Sequence, residues 1–173
     1  MKHLILAVAI LSILVFEAQA QTEVRCRIKA NPADPDPNGI NVRGGAGNTF
    51  SIIGKLPNPE ADVVTIIASK GSWVKINRAE GEEGETIFDK EGWVFASLLG
   101  MTTSWNPDDR LKKGNHNFYA GPNRKSRVLM RLQPDTAVTL VGCDGEWARV
   151  KYNQRIGWLA PEAQCTFTRT TCS

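Results

Sequence analysis

Four cysteines, two histidines and a cluster of carboxylates are the residues of this 173-residue chain with the widest chemical reach. Thiol catalysis requires a thiolate and a base to make it, so a Cys-His pair is the first arrangement to test. His3 falls in a leader, described below. That leaves His116 as the single imidazole for Cys26, Cys143, Cys165 and Cys172. One imidazole cannot build a His-rich zinc centre, no C-x-x-C spacing is present, and no Ser-His-Asp set can be assembled around His116. Glu80, Glu82, Glu83, Glu85, Asp89 and Glu91 crowd one short segment. Their order lacks the D-x-D-x-D-G alternation that aims oxygens at one calcium ion. Glycosidase chemistry needs two carboxyls at fixed separation in a cleft, one with a raised pKa, and a hairpin excursion does not provide that frame. Gly44-Gly45-Ala46-Gly47 lacks the Lys-Ser/Thr ending of a phosphate-binding loop. The inventory predicts a protein that is not an enzyme and has no metal or cofactor.

The cysteines are better read through the start of the chain. Lys2 and His3 precede an apolar run over residues 4–16, and Ala18-Gln19-Ala20 has the small-x-small form of a signal-peptidase site. Residues 1–20 are therefore expected to be a signal peptide. The run is too short to span a bilayer stably, which predicts no stable membrane insertion after cleavage and a periplasmic or secreted product. An even number of cysteines in an exported chain predicts two disulfides, with three pairings open. Cys143 with Cys165 would staple the second half, leaving Cys26 and Cys172 to tie the ends.

The elements that must position these residues occur twice. Trp73-Val74-Lys75-Ile76 and Gly92-Trp93-Val94 are repeated as Trp147-Ala148-Arg149-Val150 and Gly157-Trp158-Leu159. Upstream, Val42-Arg43-Gly44-Gly45-Ala46 lies over Phe118-Tyr119-Ala120-Gly121-Pro122, and Val64-Thr65-Ile66-Ile67 over Val138-Thr139-Leu140-Val141. A repeat fixes the fold unit. Period-2 alternation and β-branched residues make that unit an all-β module, with strands at residues 24–28, 40–43, 52–56, 63–68, 73–77 and 92–96. Residues 97–99 should close it as one helical turn. The expected division is a first module over 24–100, a linker over 101–115, a second module over 116–165 and an extended tail over 166–173. Residues 78–91, which hold the extra length of the first copy (20 residues between its tryptophans against 11 in the second), should form an acidic, mobile hairpin excursion. Trp105, in the linker, either packs between the modules or lies exposed for binding.

Charge is divided unevenly. Residues 21–100 carry nine Lys or Arg against eleven Asp or Glu, net −2, and residues 101–173 carry eleven against six, net +5. Arg124, Arg127 and Arg131 fall on the first long loop and adjoining strand of the second module. Export and the modest excess argue against a nucleic-acid partner. Trp73 and Trp147 each follow a polar turn, where burial and ligand contact are both open readings. The candidate ligand-binding set is Trp73, Trp147, Tyr119, Arg124, Arg127 and Arg131.

Asn41-Val42-Arg43-Gly44-Gly45-Ala46-Gly47, Ile52-Ile53-Gly54-Lys55-Leu56, the strand at Trp73 and the run from Gly92 to Leu99 resemble the bacterial SH3-like (SH3b) domain family. Its signature is N-V-R-x-G-P, then G-x-L, W-x-K-V and G-W-V-x-x-x-Y-L. Phe118 to Pro122, Leu132, Trp147 to Val150 and Gly157 to Leu159 resemble a degenerate second copy, with Tyr119 where the family has arginine. The resemblance implies two small five-stranded, partly open barrels in tandem; the bulk of Trp93 and Trp158 suits them to cover a barrel end, with ligand contact as the other reading. It also implies a binding role, with peptidoglycan or another cell-envelope ligand as partner. The alternative is an adaptor or inhibitor acting on an exported cell-wall hydrolase or toxin.

Overall fold

Strand alternation places the side chains, and the computed structural model describes residues 21–58, 60–104 and 116–166. The expected signal peptide, Trp105 and Cys172 lie outside the described residues. The strands are β1 (Val24–Pro32), β2 (Ile40–Arg43), β3 (Ile52–Leu56), β4 (Val63–Lys70), β5 (Trp73–Glu80), β6 (Thr86–Phe88), β7 (Gly92–Phe95) and β8 (Leu99–Thr103). They continue as β9 (Asn117–Tyr119), β10 (Val128–Arg131), β11 (Ala137–Asp144), β12 (Trp147–Tyr152), β13 (Arg155–Leu159) and β14 (Gln164–Cys165). Single 3-10 turns, Ala96–Leu98 and Pro161–Ala163, follow the two Gly-Trp strands. The all-β, SH3-like reading holds.

The modules are not two beads on a string. Every described strand belongs to one antiparallel network, ordered β10-β9-β13-β12-β11-β8-β1-β4-β5-β7-β2-β3, with β14 on β8 and β6 on β5. Strand β8 is the splice. Its Leu99 and Gly100 pair with Pro32 and Asn31 of β1, while Gly100, Met101 and Thr102 pair with Thr139, Val138 and Ala137 of β11. This corrects the expected linker, because residues 101–103 are strand. Leu99, Met101 and Thr103 all point inward, at 0, 4 and 0 % exposure. That alternation is interrupted in sequence by glycine and threonine, which reads as linker until the partners are known.

One apolar cluster runs through both halves, from Ile28, Val42, Ile66 and Ile76 to Phe118, Leu140, Val150 and Leu159. The Gly-Trp step is explained by close approach. A Cβ on Gly92 would sit 2.3 Å from Val42 Cγ1, and one on Gly157 2.7 Å from Phe118 Cζ and 2.8 Å from the Tyr119 carbonyl oxygen. Neither position has room for a larger residue.

Residues 78–91 also differ from expectation. Strand β5 continues to Glu80 and β6 returns against it, pairing Ala79 with Phe88 and Glu80 with Thr86. Phe88 is 8 % exposed and Ala79 fully buried, so the insertion is a paired hairpin pinned by an aromatic anchor. Arg78 ties its tip, donating from Nε to Glu80 Oε1 at 2.7 Å and from Nη2 to Thr86 Oγ1 at 3.0 Å.

Candidate functional site

Alternation on β5 turns Val74 and Ile76 into the core, so Trp73 and Lys75 face outward. Trp73 pairs directly with Phe95, the last residue of β7, and their rings meet edge to face with centroids 5.5 Å apart. Phe95 remains 39 % exposed. The aromatic pair forms one wall of a pocket of about 230 Å³ whose polar lining includes Asp34, Asp36, Asn41 and Arg43.

The proline-rich segment before β2 supplies the carboxylates, and local hydrogen bonds hold it in place. Asp34 Oδ1 accepts from the Asp36 amide at 3.1 Å, and Asp36 Oδ1 accepts from the Asn38 amide and from Asn38 Nδ2, each at 2.9 Å. The Asn38 backbone donor, then its side chain, hold the Asp36 carboxyl below its ordinary value. On the opposite side Arg43 Nη1 donates to the Phe50 carbonyl at 2.8 Å, which braces the loop before β3. Asn41 Oδ1 is a buried acceptor with no hydrogen-bond partner among the described residues. Flat aromatic surface, two carboxylates and a guanidinium within one small concavity suit an amphoteric, peptide-like ligand.

The second module departs from this arrangement at each equivalent place. Trp147 packs edge to face on Tyr119, with centroids 5.5 Å apart, and Tyr119 is 6 % exposed. Its hydroxyl accepts from Asn117 Nδ2 at 3.2 Å. The repeat puts Arg124 over Asn48 (76 apart) and Glu162, Ala160 and Ala163 over Ser97, Phe95 and Leu98 (65 apart). Arg124 reaches Glu162 in a two-point bridge, at 2.8 and 3.0 Å, from the loop after β9 to the 3-10 turn. Where the first module has an open aromatic pocket, the second has a bridge and two alanines. Of the residues singled out in the sequence, Tyr119 and Trp147 are therefore brought together and Trp73 stands in the other module. Arg127 and Arg131 are exposed, and among the described residues no hydrogen bond or ion pair joins their side chains to that aromatic pair.

Sequence reasoning passed over Phe95, Asp34 and Asp36. The signal for Phe95 was available: two residues beyond Trp93, it must share a sheet face with it. The aspartates read as part of a proline turn, and nothing local shows that the turn folds back over Trp73.

The cysteine pairing differs from the one expected. Cys26 is bonded to Cys143. The N-terminal part of β1 lies beside the β11–β12 turn, with Arg27 N donating to Gly145 O at 2.7 Å and Gly145 N to Arg25 O at 2.9 Å. That register brings the two sulfurs together across the module boundary and removes Cys143 from reach of Cys165. Cys165 is disulfide-bonded as well, so no described cysteine carries a thiol. His116 is buried, with Nε2 2.7 Å from the Ser104 carbonyl oxygen.

Two family models, each described as a bacterial SH3 domain, match this chain, one over residues 38–100 and the other over residues 112–163. A Bacillus subtilis (strain 168) protein, YrvJ, provisionally named an N-acetylmuramoyl-L-alanine amidase, is 26 % identical over 129 residues. The match takes in 71 % of this chain and 23 % of that relative's length. Among solved structures, NlpC2 and NlpC1 from Trichomonas vaginalis align over 83 and 85 % of this chain and 48 and 47 % of theirs, at 14 % identity. Their TM-score is 0.31.

Proposed function

Because the chain belongs to the bacterial SH3 domain family, in two tandem copies, we propose that it is a non-catalytic, exported binding protein whose first module takes peptidoglycan. The observation that carries this reading is the contrast between the modules. The Trp73–Phe95 pocket is open and edged by Asp34, Asp36 and Arg43, whereas its counterpart is spanned by Arg124 and Glu162. Stem peptides of the wall offer the mixed charge and short apolar side chains that such a pocket accommodates. The relative's name, an amidase of the muramoyl-alanine bond, supports the same polymer as partner. The absence of a described free thiol and the engagement of His116 by a backbone carbonyl support a non-catalytic role. The disulfide that joins the two halves and the bonded state of Cys165 support export.

The test is co-sedimentation of the mature protein with purified peptidoglycan, beside Trp73→Ala, Phe95→Ala and Trp147→Ala variants. The first two should lose retention and the third should keep it. Full retention by Trp73→Ala and Phe95→Ala would overturn the assignment.

A second reading, an adaptor or inhibitor of an exported cell-wall hydrolase or toxin, is favoured by one feature. Phe50, Ile52 and Ile53 are 49, 51 and 44 % exposed on and beside β3, a strand at the end of the sheet. Three large apolar side chains beside a strand edge that is unpaired among the described residues suit a protein partner. Failure of peptidoglycan retention together with capture of an exported hydrolase through this edge would favour it.

A further inference from the structure

The outward faces of the two Gly-Trp hairpins differ in charge in a way that the pocket does not use. On β5 the outward cation is Lys75, lying 5.1 Å from the centre of the Trp93 ring. Its charge is met by Glu23 at 2.9 Å and Glu91 at 3.8 Å. The same face of the second module is built by β12 and β13, where Arg149 pairs with Trp158 and Lys151 with Ile156. The repeat sets Arg149 over Lys75 and Lys151 over Asn77 (74 apart), and Ile156 over Glu91 (65 apart). The neutralising carboxylate has thus become an apolar residue, and a neutral amide has become a second cation. Arg149 and Lys151 are exposed, and their side chains carry no hydrogen bond or ion pair among the described residues. Ile156 is 48 % exposed and Trp158 half-buried. Asp144, paired with Trp147 on β11, is the carboxylate that borders this face. Arg149, Trp158 and Asp144 also line a groove of about 340 Å³ between this hairpin and the start of β1.

We infer that this face is a second binding surface, separate from the Trp73 pocket, and that it takes a phosphodiester-linked polyol polymer. Two cations at alternate positions of a strand stand about 6.6 Å apart, and a polyol phosphate chain repeats its charge on that scale. The guanidinium of Arg149 matches phosphate oxygens two at a time, and Lys151 adds a point charge. The stripe of Trp158 and Ile156 beside them covers the carbon backbone between charges. Module 1 lacks this surface because Glu23 and Glu91 already occupy its cation.

The test uses poly(glycerol phosphate) oligomers, with hyaluronate and single-stranded DNA as competitors. Arg149→Gln/Lys151→Gln is compared with Lys90→Gln/Lys125→Gln, which removes the same charge from other surfaces of the chain. The first pair should weaken binding about tenfold or more and reduce the salt slope by about 1.4, while the second should change affinity less than about threefold. All four side chains are exposed, so melting temperatures should be unchanged. Equal losses in the two variants would reduce the effect to bulk charge and overturn the inference. So would hyaluronate or DNA binding as tightly as the polyol phosphate. The probe contains no peptide, so its outcome is independent of the Trp73 pocket and of peptidoglycan retention.

Discussion

Cys26 and Cys143 stand 117 residues apart in sequence and 5.8 Å apart at Cα, joining β1 of the first module to β11 of the second. The bond closes a loop that contains the core of the first module and about half of that of the second. Chain-entropy reasoning gives a stabilisation of about 4 to 5 kcal/mol for a loop of roughly 100 residues. Cys26→Ser, Cys143→Ser and the double variant should therefore melt at similar, markedly lower temperatures. A double variant that melts like the wild type would show that the shared β8 splice alone holds the modules together.

The Arg124–Glu162 bridge is largely solvent-exposed, at 66 and 32 % for the two side chains. Removing it should cost less than about 1 kcal/mol in a denaturant titration. Its transplant is more informative. Asn48→Arg with Ser97→Glu places the same pair across the first module's pocket, where both native residues are exposed. Peptidoglycan retention should fall with stability unchanged. Undiminished retention in a folded variant would separate the bridge from pocket access.

Asp36 has its folded pKa depressed below 3.8 by the Asn38 donors. A depressed carboxylate contributes stability above its unfolded pKa and loses it as pH falls through the folded value. The small melting-temperature difference between wild type and Asp36→Asn should be constant near neutral pH and shrink only as the pH falls below 3.8. Because the carboxylate stays charged, the Asp36 share of ligand binding should be flat from about pH 5 to 7. A midpoint for Asp36 above 3.8, read from its side-chain carboxyl resonance by NMR, would contradict the hydrogen-bonded loop.

Gly92→Ala and Gly157→Ala test the Gly-Trp step itself. Each new methyl would collide with buried neighbours, Val42 in one case and Phe118 with the Tyr119 carbonyl in the other. A destabilisation of about 1 to 3 kcal/mol is expected at each site. Wild-type melting for both variants would rule out close strand approach as the reason for glycine there.

Much of this was legible because the repeat exposes it. The strands, their alternation and the two Gly-Trp steps are local signals, and residues 42–46 over 118–122 fix the module. Three things were not local. Strand β8 reads as linker because Gly100 and two threonines hide an inward Leu99, Met101 and Thr103, and only its partners in both modules make it a strand. The Cys26–Cys143 bond depends on β1 crossing the boundary, which no spacing encodes. The pocket depends on residues 34 and 36 folding back over a tryptophan far along the chain. Within the site, Trp73 was readable from its position after a turn. Phe95 was readable as sharing a face with Trp93, its pairing with Trp73 required strand register, and the arginines of the second module drew attention by charge while Arg124 was already engaged by Glu162.

The most direct measurement is quantitative co-sedimentation of the mature protein with purified peptidoglycan, run in parallel on wild type, Trp73→Ala, Phe95→Ala and Asn48→Arg/Ser97→Glu. The pocket account predicts retention of the wild type and at least about a tenfold loss in all three variants, each with a folded-state melting transition. Wild-type retention undiminished in the three variants, or no retention of the wild type at all, would contradict it.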